Sequence, residues 1–173
     1  MTASGGEPLM QAAFTHALFR LCRQAGISTA LDTCGYAIKE DLERVLEETD
    51  LVLLDIKQSD PELHKKYTGV DPGLIFSNIR VIDERNVTTW IRTPIVPGYT
   101  DQPENIRRIA EMISEINCIQ RWELLPYHTF GEKKYQELQM KYPLSGLERP
   151  TDVHMQKLLE TAKKYCDTRI VIK

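Results

Sequence analysis

Apolar residues along the chain recur at two alternating spacings. Phe14, Leu18 and Leu21 lie three to four residues apart ahead of Gly26, which predicts an amphipathic helix that the glycine ends. Residues 51–56 (LVLLDI) are instead almost continuously apolar, as expected of a strand covered on both faces. Helical and strand patterns therefore follow one another from the start of the chain.

The same alternation continues to the last residues. Strands are predicted over residues 29–33, 88–96, 122–126 and 169–172, and helices over residues 38–46, 74–85 and 103–116. Thr151 can cap one further helix. Strands that alternate with helices through short connections indicate parallel βα units, and we expect a single α/β domain over residues 1–173.

Composition narrows the class of protein. The 173 residues are 42% apolar and 27% charged, with a net charge of -3, which suits one globular core and offers no basic field to nucleic acid or an anionic membrane. No stretch is apolar and long enough to span a bilayer, and the first residues lack a signal-peptide pattern. We expect a cytoplasmic protein without nucleic-acid or membrane partners.

Polar residues gather where the predicted strands end. They are Asp32, Thr33, Asp55, Lys57, Arg92 and His128. In barrels and open parallel sheets, the loops at the carboxyl ends of the strands form the binding site. These residues are therefore expected to converge on one ligand, and their position favours a barrel.

The charges in this group constrain one another. Asp32 and Asp55 on neighbouring strand ends would repel, so we expect an oxygen-liganded metal or a salt bridge between them. Arg92 lies in an otherwise apolar strand, where an unpaired charge is costly, and should face an anion. Asp55 and Lys57 share a strand face and form either a structural pair or part of a site, while His128 alone is more typical of an ordinary loop histidine.

The segment SGGEP, residues 4–8, stands directly before the first predicted helix. Two glycines let the backbone approach a ligand closely and leave amide hydrogens free. Taken alone, such a segment is equally typical of a turn.

Five segments occur in the order SGGEP, LDTCG, LLDIK, WIRTPIVPGYTD and ELLPYH. This series resembles the activating enzymes of glycyl-radical enzymes, which are radical S-adenosylmethionine (SAM) enzymes. The resemblance covers almost the entire chain, in the order of the family and near its spacing. It implies an α/β fold, a partial (β/α)6 TIM-like radical SAM barrel that lacks its first βα unit.

The resemblance also implies an oxidoreductase activity in the full-length protein. In this family, SAM chelates the unique iron of a [4Fe-4S] cluster and is cleaved reductively to a 5'-deoxyadenosyl radical, which removes a hydrogen from a glycine. The implied partners are a glycyl-radical enzyme and an electron donor such as flavodoxin or ferredoxin.

By position, the resemblance assigns the methionine ammonium group of SAM to Gly5, Gly6 and Glu7. A carboxylate is a fitting partner for an ammonium group. Lys57 would pair with a carboxylate or ribose group of SAM, and Arg92 would orient SAM or the incoming glycine loop.

The remaining positions carry two further implied roles. His128 would lie near the adenosine of SAM. Asp32, Thr33 and Asp55 match positions where the family can hold a monovalent cation beside SAM, and Thr33 also counts among the SAM-binding positions. The repulsion expected between the two aspartates independently called for such a cation or its equivalent.

One family feature is absent. The Cys-x3-Cys-x2-Cys motif that supplies the cluster thiolates should precede SGGEP by a long interval, and the four cysteines, at 22, 34, 118 and 166, are too far apart to replace it. We expect four free thiols, no catalytic residue and no activity in this chain alone. Weak SAM binding, and self-association through an open sheet edge, are also expected of such a fragment.

Two alternatives from other classes remain open. A metal-dependent barrel lyase or hydrolase would use Asp32 and Asp55 to hold a divalent metal. A non-catalytic module would dock a partner at the barrel mouth through Tyr67, Tyr99 and Tyr127. Neither alternative explains the ordered series of motifs.

Overall fold

The computed structural model describes all 173 residues, and the chain forms six strands and seven helices joined by loops and turns. The strands are β1 (Thr2–Ala3), β2 (Ala30–Thr33), β3 (Leu51–Asp55), β4 (Thr89–Ile95), β5 (Ile119–Pro126) and β6 (Arg169–Ile172). The helices are α1 (Ala12–Gln24), α2 (Lys39–Leu46), α3 (Pro61–Thr68), α4 (Gly73–Glu84), α5 (Pro103–Ser114), α6 (Phe130–Glu137) and α7 (Asp152–Lys163). A 3-10 turn, Pro8–Gln11, precedes α1.

All strands run parallel in one sheet whose spatial order is the order of the sequence, from β1 to β6. Crossovers between parallel neighbours follow a right-handed rule, which puts the helices that join sequential strands on one face of the sheet. A doubly wound sheet would instead reverse its strand order at a switch point. The predicted α/β class and partial barrel of βα units are confirmed.

One face of the sheet is buried under helices, and the other, called here the inner face, stays partly open. In β4 the residues Ile91 and Ile95 are fully buried, whereas Trp90 and Arg92 on the inner face are half-buried. The core lies between the sheet and helices. The expectation that residues 51–56 form a strand covered on both faces is wrong, because inner-face Leu53 keeps partial exposure.

The predicted elements are present, and three others were not predicted. β1 and α6 are short, and α3 buries only His64, so none of them leaves an apolar period in the sequence. Helix α3 is defined by its ends: the Asp60 carboxylate accepts hydrogen bonds from the N–H groups of Glu62 and Leu63 (3.0 and 3.1 Å), and Gly69 closes the helix at φ 84°.

Helix α1 turns a different face to the core from the one its apolar pattern predicts. It buries Phe19 and Cys22, together with smaller residues, while Phe14 and Leu21 are 65% and 64% exposed. The helix therefore carries a second, apolar face on the surface.

The four cysteines are free, as predicted; Cys22, Cys118 and Cys166 are buried, and Cys34 is half-buried. Burial raises the pKa of the Cys118 thiol to about 11. None of the helices combines the length and apolar character that crossing a bilayer requires.

Candidate SAM cleft

A cleft of about 370 Å³ opens at the carboxyl ends of β1 to β4. It is lined by Ser4, Gly5, Gly6, Glu7, Asp32, Thr33, Cys34, Asp55, Lys57 and Arg92. The predicted convergence of strand-end residues on one site is thus present in the structure, with the exception of His128.

The double-glycine loop forms one wall of the cleft. Gly5 and Gly6 adopt φ angles of +84° and +54°, and an added Cβ would meet no atom within 4 Å at either position. The left-handed backbone, rather than crowding, is what requires glycine here. The space above the loop remains open to a ligand.

Glu7 ties this loop to the end of β2. Its Oε1 accepts hydrogen bonds from the Thr33 hydroxyl (2.6 Å) and the Leu9 N–H (3.1 Å), and its Oε2 accepts one from the Cys34 N–H (2.9 Å). Thr33 is buried, and its hydroxyl also accepts a bond from the Gly35 N–H (2.9 Å). The Thr33 hydroxyl is therefore committed within the protein, and its contact with a ligand stays a prediction.

Arg92 lies between the two aspartates. Its Nε and Nη2 donate to Oδ1 of Asp55 (3.0 and 2.9 Å), and Nη2 also donates to Oδ1 of Asp32. The other oxygen of Asp32 accepts a bond from the Ser4 hydroxyl (2.8 Å). Of the two expected solutions to the repulsion between Asp32 and Asp55, the structure has the salt bridge.

These contacts keep the guanidinium charged. Burial would lower the pKa of Arg92, but the charges of Asp55 and Asp32 and their hydrogen bonds together raise it above its ordinary value. Its side chain is 19% exposed, so the guanidinium is held firmly and still borders the cleft.

Lys57 adds the second cation. Its Nζ lies 3.2 Å from Oδ2 of Asp55, and its side chain is 37% exposed. The cleft thus combines three carboxylates, on Glu7, Asp32 and Asp55, with two cations. Such a mixed-charge set suits a ligand that carries both an ammonium and a carboxylate group.

The chain's own side chains do not fit an iron–sulfur cluster. A cluster needs several cysteine thiolates at one site, and of the four cysteines only Cys34 lines the cleft. Burial, and then the neighbouring Glu7 carboxylate, raise the pKa of the Cys34 thiol above its usual 9.0. No group of three His, Cys, Asp or Glu side chains could hold a metal ion. The same finding leaves the divalent-metal alternative without support from the geometry.

His128 lies outside the cleft. It is exposed in the segment after β5, where its ring packs on Phe130 with the centroids 4.4 Å apart. Of the three tyrosines considered as docking anchors, Tyr127 is buried, with its hydroxyl 2.8 Å from that of Tyr142. Tyr67 and Tyr99 pack edge to face at 5.1 Å.

A second group of charged residues lies on the inner face and was not predicted. It is called here the buried cluster and consists of Trp90, Arg121, Glu123 and Lys173. Glu123 is 1% exposed; its Oε1 lies 2.9 Å from Nη2 of Arg121 and its Oε2 3.4 Å from Nζ of Lys173. The shorter contact is poorly directed, so Oε1 has no hydrogen bond. The Arg121 guanidinium lies 4.8 Å from the Trp90 ring centroid. The signal for this cluster was the alternation of Arg121 and Glu123 in β5.

Comparison with known proteins agrees with this fold. The sequence profile of the Radical SAM superfamily matches residues 1–112. The chain belongs to the radical SAM superfamily.

Within that superfamily, the similar proteins are pyruvate formate-lyase-activating enzymes. The chain is 38% identical over 171 residues to the enzyme of Listeria monocytogenes, covering 94% of this chain and 69% of the relative. It is 35% identical over 167 residues to the pyruvate formate-lyase 1-activating enzyme of Escherichia coli, covering 95% and 68%. The solved structure of a domain of pyruvate formate-lyase-activating enzyme from Bacteroides vulgatus superimposes with a TM-score of 0.83 at 28% identity, over 100% of this chain and 98% of that one.

Proposed function

We propose that this chain is the SAM-binding part of a radical SAM enzyme that activates a glycyl-radical enzyme of the pyruvate formate-lyase type. The observation that carries the proposal is the meeting of the double-glycine loop with the mixed-charge strand ends in one cleft. The similarity to activating enzymes supports the identity of the partner.

The residues present fit SAM. Gly5 and Gly6 leave open space for the methionine end, and the Glu7 carboxylate is a partner for its ammonium group. Lys57 would bind the carboxylate or a ribose hydroxyl, and Arg92 would orient SAM or the partner's glycine loop. Bound SAM supplies, on reductive cleavage, the 5'-deoxyadenosyl radical that takes a hydrogen atom from that glycine.

Two further assignments belong to the proposal. His128 would approach the adenosine from the β5 side of the cleft. A monovalent cation at Asp32, Thr33 and Asp55 would compete with the Arg92 guanidinium, which already pairs with both aspartates.

The test is a titration of the isotope-labelled chain with SAM, followed by NMR. We expect a roughly millimolar dissociation constant, because no cluster anchors the methionine end, with shifts at Gly5, Gly6 and Lys57. Lys57→Ala should weaken binding, and Lys65→Ala, which removes an exposed lysine of α3, should not. Shifts confined to other surfaces, or none at saturating SAM, would contradict the proposal; stoichiometric divalent metal in the purified protein would favour a metal-dependent lyase or hydrolase.

The chain by itself would lack the radical step, because its cysteines cannot gather at the cleft to hold a cluster. An electron donor of the flavodoxin or ferredoxin type would act on the cluster-containing protein. We also propose self-association of this chain through the free edge of β1 and the exposed face of α1 that carries Phe14 and Leu21. Sedimentation should detect dimers that Leu21→Lys disperses; a monomer at every concentration would argue against this interface.

A further inference from the structure

We infer that Asn105, which lies outside the cleft, is a positioning residue that sets where Lys57 stands. Asn105 is in the first turn of α5 and is 4% exposed. The inference deepens the proposed function and rests on it, since it names a residue that acts on the same site through Lys57.

Regular pairing with β4 ends just before Lys57. The preceding residue, Ile56, still bonds to β4 through both of its backbone groups. Its N–H donates to the Arg92 carbonyl and its carbonyl accepts a bond from the Thr93 hydroxyl, both at 2.9 Å. From Lys57 onward the sheet no longer supports the chain. The position of Lys57 therefore depends on what holds the loop between β3 and α3.

The Asn105 amide holds that loop at two points. Its Oδ1 accepts a hydrogen bond from the Ser59 N–H (2.8 Å), and its Nδ2 donates to the carbonyls of Thr100 (3.0 Å) and Lys57 (3.4 Å). One side chain thus joins the loop after β3 to the loop after β4, across 46 to 48 residues of sequence.

A neighbouring buried amide repeats the connection. Gln58, between the two points held by Asn105, donates from Nε2 to the Tyr99 carbonyl (3.3 Å) and accepts at Oε1 from the Asp60 N–H (3.1 Å). Because the loop is fixed on both sides of Gln58, Lys57 has little freedom except in its own side chain, which reaches Asp55.

Only an amide fits the position of Asn105. The Ser59 N–H needs an acceptor, and the two carbonyls need a donor. Asn105→Asp keeps the shape and the acceptor but sets carboxylate oxygens against the carbonyls of Thr100 and Lys57. The loop should then shift and carry Lys57 with it.

Asn78 provides a matched control. It is also a buried asparagine, and its Nδ2 donates to the carbonyls of Gly35 and Ala37, both at 2.8 Å. Asn78→Asp therefore makes the same chemical change at similar burial, without touching the loop that carries Lys57.

The experiment is a double-mutant cycle for SAM binding by NMR titration. Asn105→Asp should weaken binding about fivefold, a loss in the range of one ordinary hydrogen bond, and should add no further loss in a Lys57→Ala background. Asn78→Asp, by contrast, should combine additively with Lys57→Ala. Additivity for Asn105→Asp would overturn the inference and leave the proposed function intact.

A second readout needs no ligand. The 1H–13Cε resonances of Lys57 should move in Asn105→Asp and stay in place in Asn78→Asp; unchanged resonances would overturn the inference. If Asn105→Asp does not fold, Asn105→Ser, which is smaller and uncharged, replaces it in both measurements. A wild-type chain that binds no SAM would sink the proposed function, while the Lys57 resonances would still decide whether Asn105 positions Lys57.

Discussion

The inner face of the sheet carries two charged clusters built from the same kinds of residue, and they differ in what covers them. In the cleft, Arg92 pairs with Asp32 and Asp55, and all three side chains are 19–21% exposed. In the buried cluster, the side chain of Arg121 is 25% exposed, much like Arg92, but the Glu123 carboxylate with which it pairs is 1% exposed. Height along the strands does not explain the difference, because Arg92 and Glu123 are direct partners in the register of β4 and β5.

What separates the clusters is access. Arg92 borders a cleft with open space above Gly5 and Gly6, whereas Glu123 is enclosed between Arg121 and the end of the chain at Lys173. A carboxylate enclosed in this way can do little except hold structure, and the loss of its cationic partner is costly. A half-open pair costs less to disturb and can exchange a partner for a ligand.

The largest effect on stability should come from Arg121→Met. Glu123 would stay buried with only Lys173 at 3.4 Å, and breaking a buried pair in this way lowers the free energy of unfolding by about 3 kcal/mol. Urea denaturation measures the change, with Arg20→Met, at an exposed arginine of α1, as the control. A loss below about 1 kcal/mol, the value typical of surface pairs, would mean that the Arg121–Glu123 pair stabilises the fold no more than an exposed pair does.

Arg92→Met should cost less stability and more binding. Asp32 and Asp55 lose their shared partner, but both keep access to water, so we expect a loss of about 1–2 kcal/mol. The NMR shifts caused by SAM should weaken strongly in this variant and persist in Arg121→Met. If Arg121→Met abolished those shifts in a folded protein, the separation of the two clusters into binding and structural roles would be wrong.

The sequence predicted most of the cleft because its residues lie at strand ends. Apolar runs located the strands, parallel topology brought their carboxyl ends together, and the cost of a lone charge required an anion opposite Arg92. All of these signals are local. The sequence left open whether a metal or a salt bridge lies between Asp32 and Asp55. The answer, one guanidinium shared by both carboxylates, depends on the spacing between strands.

The features that were missed leave no apolar period that marks them in the sequence. Helix α3 is stabilised by its cap at Asp60 rather than by an apolar face. Asn105 bonds to backbone groups, which carry no residue-specific signal. On α1, the spacing of Phe14 and Leu21 predicts the core face, yet Phe19 and Cys22 fill that place, because two apolar faces on one helix cannot be ranked from spacing alone.

Thiol reactivity tests a smaller difference, between Cys34 in the cleft and Cys118 directly before β5. The pKa of Cys34 is raised by burial and by Glu7, and that of Cys118 is raised by burial to about 11. Alkylation by iodoacetamide requires the thiolate, so Cys34 should react slowly at pH 8 and faster only above pH 9. Cys118, which is also buried, should be slower still. Mass spectrometry across pH 7 to 10 checks this; a Cys34 rate that levels off below pH 9 would contradict the burial of this thiol beside Glu7.

The smallest effect tests how the buried cluster is closed. Lys173 reaches Glu123 over 3.4 Å, and its side chain is 64% exposed, so solvent already screens the pair. Lys173→Ala should therefore lower the free energy of unfolding by less than about 1 kcal/mol. In an Arg121→Met background the same change should cost more, because Glu123 then loses the second of its two ion-pair partners. If Lys173→Ala lowers the free energy of unfolding equally with and without Arg121→Met, then Lys173 does not stabilise Glu123 and Arg121 is its one effective partner. Glu123 with one cation would then contrast more sharply with Arg92, which serves two carboxylates.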